Sequence, residues 1–160
     1  MPTTVAMTQY TATAVLNKLL NNTGTVPGVT SGLYLWLLKT APTSDVDVGT
    51  GVSFIATTYT KPQVPFTVGP AGTPADFQRA FNTSTFSITM SGTTDTAVGI
   101  ALCTNGTTTP TASDFLTGAT SNPVFFYGTF TSSITLNATD VLQFAVGTNA
   151  GTTGITIDLF

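Results

Sequence analysis

Beyond residue 32 the sequence is a series of short apolar or alternating segments, separated from one another by Gly, Pro, Asn or Asp. Segments rich in β-branched and aromatic residues, with such turn residues between them, are typical of β-strands. About eight strands are expected, and the candidate segments are residues 33–39, 52–60, 63–68, 86–90, 98–103, 124–130, 133–136, 141–146 and 155–159. The segment 33–39 is apolar on both faces, which predicts a central strand. Strands this short and this often interrupted predict an all-β domain that is a β-sandwich or jelly-roll-like.

One segment near the N-terminus has helical spacing instead. Thr8 or Thr11 can cap a helix over about residues 9–21. The apolar face of this helix consists of Val15, Leu16, Leu19 and Leu20. A helix of this length is not stable alone, so it must dock on the sheet or on a neighbouring subunit, and the sheet is the simpler expectation. We therefore predict a single β-sandwich domain over residues 1–160 with one short N-terminal helix.

The composition excludes most enzyme chemistry. Charged residues make up 7% of the chain, against about 25% in a typical soluble domain. The sequence has no His, so neither a Ser–His–Asp nor a Cys–His arrangement can form. The seven acidic residues are all Asp, and most lie in turn-like contexts where capping explains them. We expect no catalytic residues, no bound metal and no cofactor.

Two sets of residues are candidate metal ligands, and neither is a good one. One Cys and dispersed Asp residues are a poor ligand set for zinc. Asp45 and Asp47 could present two carboxylates to calcium, but their loop lacks the additional oxygen ligands that calcium prefers. Cys103 lies in an apolar segment and is expected to be a buried thiol.

Charge and targeting signals limit the classes of partner that the protein can bind. Four scattered basic residues and a net charge of −3 do not form the basic surface that nucleic-acid binding requires. The N-terminal residues show no secretory signal, and no segment has the apolar length of a membrane span. We predict a protein made in a cytoplasm, without nucleic-acid or membrane partners.

The predicted surface is poor in charge and rich in threonine, of which the chain has 37. Charged surfaces oppose self-association, whereas hydroxyl and amide surfaces can be buried against other subunits at lower desolvation cost. We therefore predict a homo-oligomer. The candidate interface residues are Tyr10, Leu16 and Leu20 in the helix, Pro70 and Pro74 in the loop 69–76, and the C-terminal Phe160.

Aromatic residues cluster in two places, around 125–130 and in the 33–39 strand. Exposed Tyr34 and Trp36 would suit a sugar-binding platform. Packing in the core or at a subunit interface is the alternative, and it is the more common role of such residues.

Four segments in order resemble small bacteriophage virion proteins of the tail-fibre or head-decoration kind. They are VLNKLLNNTG, GLYLWLLKTAPTSDVDVGTGV, AVGIALC, and FFYGTFTSSITLNATDVLQFAVGT with its DxLxFxxG strand. The resemblance implies a non-enzymatic, usually oligomeric particle component that is assembled in the bacterial cytoplasm. The resemblance does not fix the position on the particle; taken together with the charge-poor composition, it leads us to predict a homotrimeric capsid decoration (cement) protein that contacts the major capsid protein or other virion proteins. A tail, baseplate or fibre component, possibly one that binds a host glycan, is the alternative.

Overall fold

The computed structural model describes residues 3–21, 32–42, 52–56, 58–68, 78–115, 122–147 and 154–159. Within these ranges one helix, eleven strands and a short 3-10 turn at Ala112–Phe115 are present. The helix is α1 (Gln9–Asn21), and it has the predicted bounds. The strands are β1 (Thr3–Met7), β2 (Leu33–Thr40), β3 (Ser53–Phe54), β4 (Gln63–Val64), β5 (Phe66–Val68), β6 (Gln78–Asn82), β7 (Phe86–Thr89), β8 (Asp95–Cys103), β9 (Val124–Leu136), β10 (Val141–Phe144) and β11 (Ile155–Leu159).

Nine of these strands form one sheet, in the order β3–β2–β8–β9–β1–β11–β6–β5, with β4 also paired to β2. The remaining two, β7 and β10, pair with each other. All pairings are antiparallel except that of β1 with β11. The all-β class with one short N-terminal helix is therefore confirmed, while the sandwich arrangement stays a prediction.

Strand β2 is central, as its two apolar faces predict. One face contributes Leu33, Leu35 and Leu37 to an apolar cluster with side chains of β7, β8, β9, β10 and β11. The opposite face contributes Trp36 and Leu38 to a second cluster, which also contains Cys103. Cys103 is fully buried, which confirms the expectation for that thiol. Because both faces of β2 and β8 are covered, these two strands form the rigid centre of the described structure.

Several strand boundaries differ from the predictions. The expected strand 52–60 is only Ser53–Phe54, and the expected strand 63–68 is divided at Pro65. Proline lacks an N–H, so the ladder cannot continue through it: β4 pairs with β2 while β5 pairs with β6. Conversely, the two strands expected at 124–130 and 133–136 are one strand, β9, because β8 pairs with both halves through a register shift between Ala97 and Gly99. The strands β1 and β6 were not predicted.

Tyr59 occupies the gap that the short β3 leaves at the edge of β2. Between the β3 and β4 pairings, the Leu37 N–H donates to the Tyr59 hydroxyl at 2.5 Å, and the Leu35 N–H donates to the Pro62 carbonyl at 2.9 Å. The buried N–H groups of β2 are thus satisfied without a continuous neighbouring strand. Burial raises the pKa of the Tyr59 phenol well above its usual range.

A buried asparagine joins three parts of the chain at the other end of the sheet. The Asn82 amide donates to the carbonyls of Ser84 and Ala145, both at 2.8 Å, and its oxygen accepts from the Ile155 N–H at 2.8 Å. Gly154 precedes β11 with φ +71°, and a Cβ there would lie 2.5 Å from the Asn82 amide oxygen. Only glycine fits this conformation and this space without strain. Asn82 therefore sets where β11 begins.

Candidate interaction surfaces

The first half of α1 is anchored to the start of β9. Thr8 caps the helix, because its hydroxyl accepts from the Thr11 N–H at 3.4 Å, and the same hydroxyl donates to the Val124 carbonyl at 2.7 Å. The Thr11 hydroxyl donates to the Phe125 carbonyl at 3.2 Å. The Tyr10 ring packs edge-on against the Phe125 ring, with centroids 5.9 Å apart. These contacts fix the direction in which α1 leaves the sheet.

The second half of α1 presents leucine to solvent. Leu16 is 54% exposed and Leu20 is 76% exposed. These two residues, which we call the α1 apolar face, lie one helical turn apart and so share one side of the helix. Exposed single leucines are ordinary on protein surfaces, but this pair is held on a helix whose first turn is fixed to the sheet. The expectation that the helix buries its apolar face on the sheet is therefore wrong for these two side chains.

An open cleft lies beside the start of β2. Its volume is about 330 Å³, at the lower end of the range for small-molecule sites. We call it the Lys61 cleft, and its lining consists of Tyr34, Tyr59, Thr60, Lys61, Asn105, Gly106 and Thr107. This lining combines aromatic rings, hydroxyls, one amide and one ammonium group.

The Lys61 ammonium is held in place by four contacts. It lies 4.6 Å from the centroid of the Trp36 ring and 4.4 Å from that of the Tyr59 ring, within the range of cation–π attraction. It also donates to the Ala56 carbonyl and, at 3.1 Å, to the Tyr59 carbonyl. Partial burial lowers the pKa of Lys61. Among the described residues, no carboxylate forms an ion pair with this ammonium. The one ion pair within the described residues joins Lys39 to Asp95 at 2.9 Å.

The far wall of the cleft is built by a second buried asparagine. The Asn122 amide donates to the carbonyls of Asn105, at 2.8 Å, and Thr108, at 2.6 Å, and its oxygen accepts from the Asn105 N–H at 2.8 Å. The Trp36 indole N–H also donates to the Asn105 carbonyl, at 2.9 Å. Residues 105–108 are thereby held in one conformation, with Gly106 packed against the Tyr34 ring. The cleft is preformed because its loop is tied to buried groups.

Two further ionisable groups, Asp114 and Cys103, are buried in the described structure. Asp114 is buried in the 3-10 turn, where one carboxylate oxygen accepts from the Thr111 N–H at 2.6 Å and from its hydroxyl at 2.7 Å. Burial, together with the nearby Asp114 charge, raises the pKa of the Cys103 thiol. A thiol in this environment is protonated and enclosed, so it is a poor nucleophile. No three His, Cys, Asp or Glu side chains of the described residues are grouped as metal ligands.

The structure separates the candidate residues of the sequence analysis. Leu16 and Leu20 are exposed together, whereas Tyr10 is half-buried and packs on β9. Pro70, Pro74, Phe160, Asp45 and Asp47 lie outside the described residues. Trp36 is 1% exposed, so it belongs to the core and cannot stack directly on a sugar, whereas Tyr34 lines the cleft.

Sequence reasoning missed the Lys61 cleft entirely. Its parts come from three separate segments, the start of β2, residues 59–61 and the loop 105–107. The single local signal was Asn105–Gly106, a dipeptide typical of a tight turn. A turn signal of this kind does not say which lysine or aromatic ring will lie beside it.

Comparison with protein families and with curated proteins finds no match to this chain. No helix in the described part of the chain has the length and apolarity to cross a membrane.

Proposed function

We propose that the protein is a non-enzymatic structural component of a bacteriophage particle, namely a homotrimeric capsid decoration protein that binds the assembled head. The observation that carries the proposal is the α1 apolar face, two exposed leucines on a helix whose first turn is fixed to the sheet. The shortage of charge, 7% of the chain, supports it, since such a surface suits burial against other subunits. The sequence pattern shared with small virion proteins gives the partner class.

Such a protein would act by mass action. A protein that binds the assembled shell, and not the free capsid subunit, stabilises the shell by the free energy of that binding. Three copies in one symmetric unit engage several sites together, so a modest contact at each site is sufficient. The α1 apolar face would supply the hydrophobic part of this contact, to the major capsid protein or to a neighbouring copy.

Copy number tests the proposal against its runner-up. Particles of the phage that encodes this sequence would be purified and the chain quantified by mass spectrometry against the major capsid protein. A decoration protein on a symmetric shell is expected in on the order of hundreds of copies per particle. Absence of the chain, or about three to a few dozen copies, would contradict the decoration role, the latter favouring a tail or fibre component.

A double substitution of the α1 apolar face tests the contact itself. Leu16→Gln with Leu20→Gln is expected to weaken binding to particles about 100-fold, since each buried leucine contributes about 1.5 kcal/mol or more. The melting temperature of the isolated protein should change little, because both side chains are already exposed. Binding would be measured by sedimentation with particles that lack the endogenous protein.

Val141→Thr is the matched control, since Val141 is 58% exposed at the start of β10. It removes a similar exposed apolar group away from the helix, and binding should be unaffected. Equal loss of binding in both variants, or unchanged binding of the double variant, would show that the α1 apolar face is not the contact.

The second candidate is a tail, baseplate or fibre component that recognises a host glycan. The Lys61 cleft favours it, because aromatic rings, hydroxyls and an amide together are the groups that bind sugars. The two candidates differ in the copies per particle, as described above.

A further inference from the structure

The Lys61 ammonium is held in position by its neighbours, but no described carboxylate balances its charge. Two of its three N–H groups are directed at the Ala56 and Tyr59 carbonyls, and it lies within cation–π distance of both the Trp36 and the Tyr59 rings. One N–H has no protein acceptor among the described residues. An ammonium that is partly desolvated and already ordered forms a stronger contact with an anion than a free surface lysine does.

The groups around this ammonium are neutral hydrogen-bonding groups. Thr60, Asn105, Thr107 and Tyr34 line the cleft. The Asn105 oxygen is occupied by the Thr107 N–H and hydroxyl, so Asn105 has an amide N–H left to donate and Thr107 a hydroxyl oxygen left to accept. With the Thr60 hydroxyl, these groups can both donate to and accept from the hydroxyl groups of a sugar. The loop that carries Asn105 and Thr107 is fixed by Asn122, so little ordering is required on binding.

We infer that the Lys61 cleft binds a saccharide unit that bears a carboxylate, such as a uronic or sialic acid. The carboxylate pairs with the Lys61 ammonium, and the sugar hydroxyls bond to the Thr60 hydroxyl, the Asn105 amide N–H and the Thr107 hydroxyl oxygen. The volume of about 330 Å³ accommodates one or two sugar rings. The inference gives a ligand class to the second proposed function, and it does not depend on the capsid role.

The buried Trp36 provides the readout. It is the one tryptophan of the chain, its ring lies under the Lys61 ammonium, and its N–H donates to the Asn105 carbonyl. Its fluorescence should therefore respond to a ligand in the cleft without direct stacking.

The isolated full chain would be titrated with two acidic probes, an oligoglucuronate and sialyllactose. The matched neutral probes are a glucose oligomer of equal length and lactose, and sodium acetate tests the carboxylate alone. We expect saturable binding of at least one acidic probe, with affinity for its neutral counterpart at least ten-fold weaker and no saturation by acetate in the same range. No response to either acidic probe, equal binding of the neutral counterparts, or equal saturation by acetate would overturn the inference. These comparisons use the unmodified protein and do not depend on any variant folding.

Lys61→Met then tests the ammonium, since it keeps the aliphatic stem and removes the charge. We expect at least ten-fold weaker binding of the acidic probe that binds the unmodified chain. Lys39→Met is the control, because Lys39 is an exposed lysine that pairs with Asp95 away from the cleft. Undiminished binding by a folded Lys61→Met variant would overturn the inference. Neither result bears on copy number, so the inference and the capsid role fail independently.

Discussion

Asn82→Asp is expected to lower the free energy of unfolding by about 3–5 kcal/mol at neutral pH, because it leaves an uncompensated charge in the interior. The amide of this fully buried residue donates to two carbonyls, those of Ser84 and Ala145. A carboxylate cannot donate, so both carbonyls would face a negative charge instead. Denaturant unfolding followed by circular dichroism measures the loss.

The pH dependence of this variant identifies the cause. The interior raises the folded-state pKa of the introduced carboxyl, so its protonated form is the one that the fold favours. The stability of the variant relative to the unmodified protein should therefore recover as the pH falls toward 4 and decline as the pH rises. A deficit that is constant with pH would contradict this explanation.

Asn105→Asp is the matched control for the same chemical change. The Asn105 side-chain oxygen accepts from the Thr107 N–H and hydroxyl, both at 2.7 Å, and from the Thr108 N–H at 3.3 Å. A carboxylate keeps all three of these bonds. The change in unfolding free energy should be within about 1 kcal/mol, since the shape and the acceptor role are conserved.

Alkaline destabilisation is the second large effect that we expect. Burial raises the pKa values of both the Cys103 thiol and the Tyr59 phenol above their ordinary values of 9.0 and 10.0. A raised folded-state pKa gives stability that is fully present below the ordinary value and is lost as the pH rises toward the folded value. Each group changes the unfolding constant tenfold per pH unit in its window. Tyr59 alone contributes a loss of about 1.4 kcal/mol by pH 11, and Cys103 adds to the loss from pH 9 upward.

Lys61 acts in the opposite direction, since its pKa is lowered, but its partial exposure keeps that contribution small. The measurement is the urea midpoint at half-unit intervals from pH 8 to pH 11, under reducing conditions.

Two variants separate the contributions. Cys103→Ala should flatten the decline that begins at pH 9, and Tyr59→Phe should flatten the part that begins at pH 10. At neutral pH, Tyr59→Phe should also cost about 1–3 kcal/mol, because the buried Leu37 N–H loses its acceptor. An alkaline slope that neither variant changes would show that other groups cause the decline.

Local pattern predicted the elements whose side chains repeat a clear period. The helix over 9–21 and the central strand beginning at Leu33 follow from spacing and from apolar residues on both faces. Strand ends were predicted less well where pairing, not composition, decides them. Ser53–Phe54 is short because Tyr59 replaces the ladder beyond it, and β9 is continuous because β8 accompanies both of its halves.

The interface role of Leu16 and Leu20 stays a prediction. Both side chains are exposed, and their spacing places them on one side of the helix. The side of the helix that faces the sheet is set by the hydrogen bonds from Thr8 and Thr11 to β9. The helical spacing of apolar residues does not predict these bonds. The Lys61 cleft could not be predicted, since its lining comes from segments far apart in sequence.

By itself, the sequence determined the β class, the short helix and the absence of histidine chemistry, because these depend on residue type and on spacing along the chain. Only the tertiary structure decided what each polar side chain does. Residues 82 and 105 are both asparagines, yet the Asn82 side chain must donate in the interior while the Asn105 side chain mainly accepts in a turn. The role of a hydrogen-bonding group depends on the distant backbone atoms that the fold brings to it, and local sequence does not contain that information.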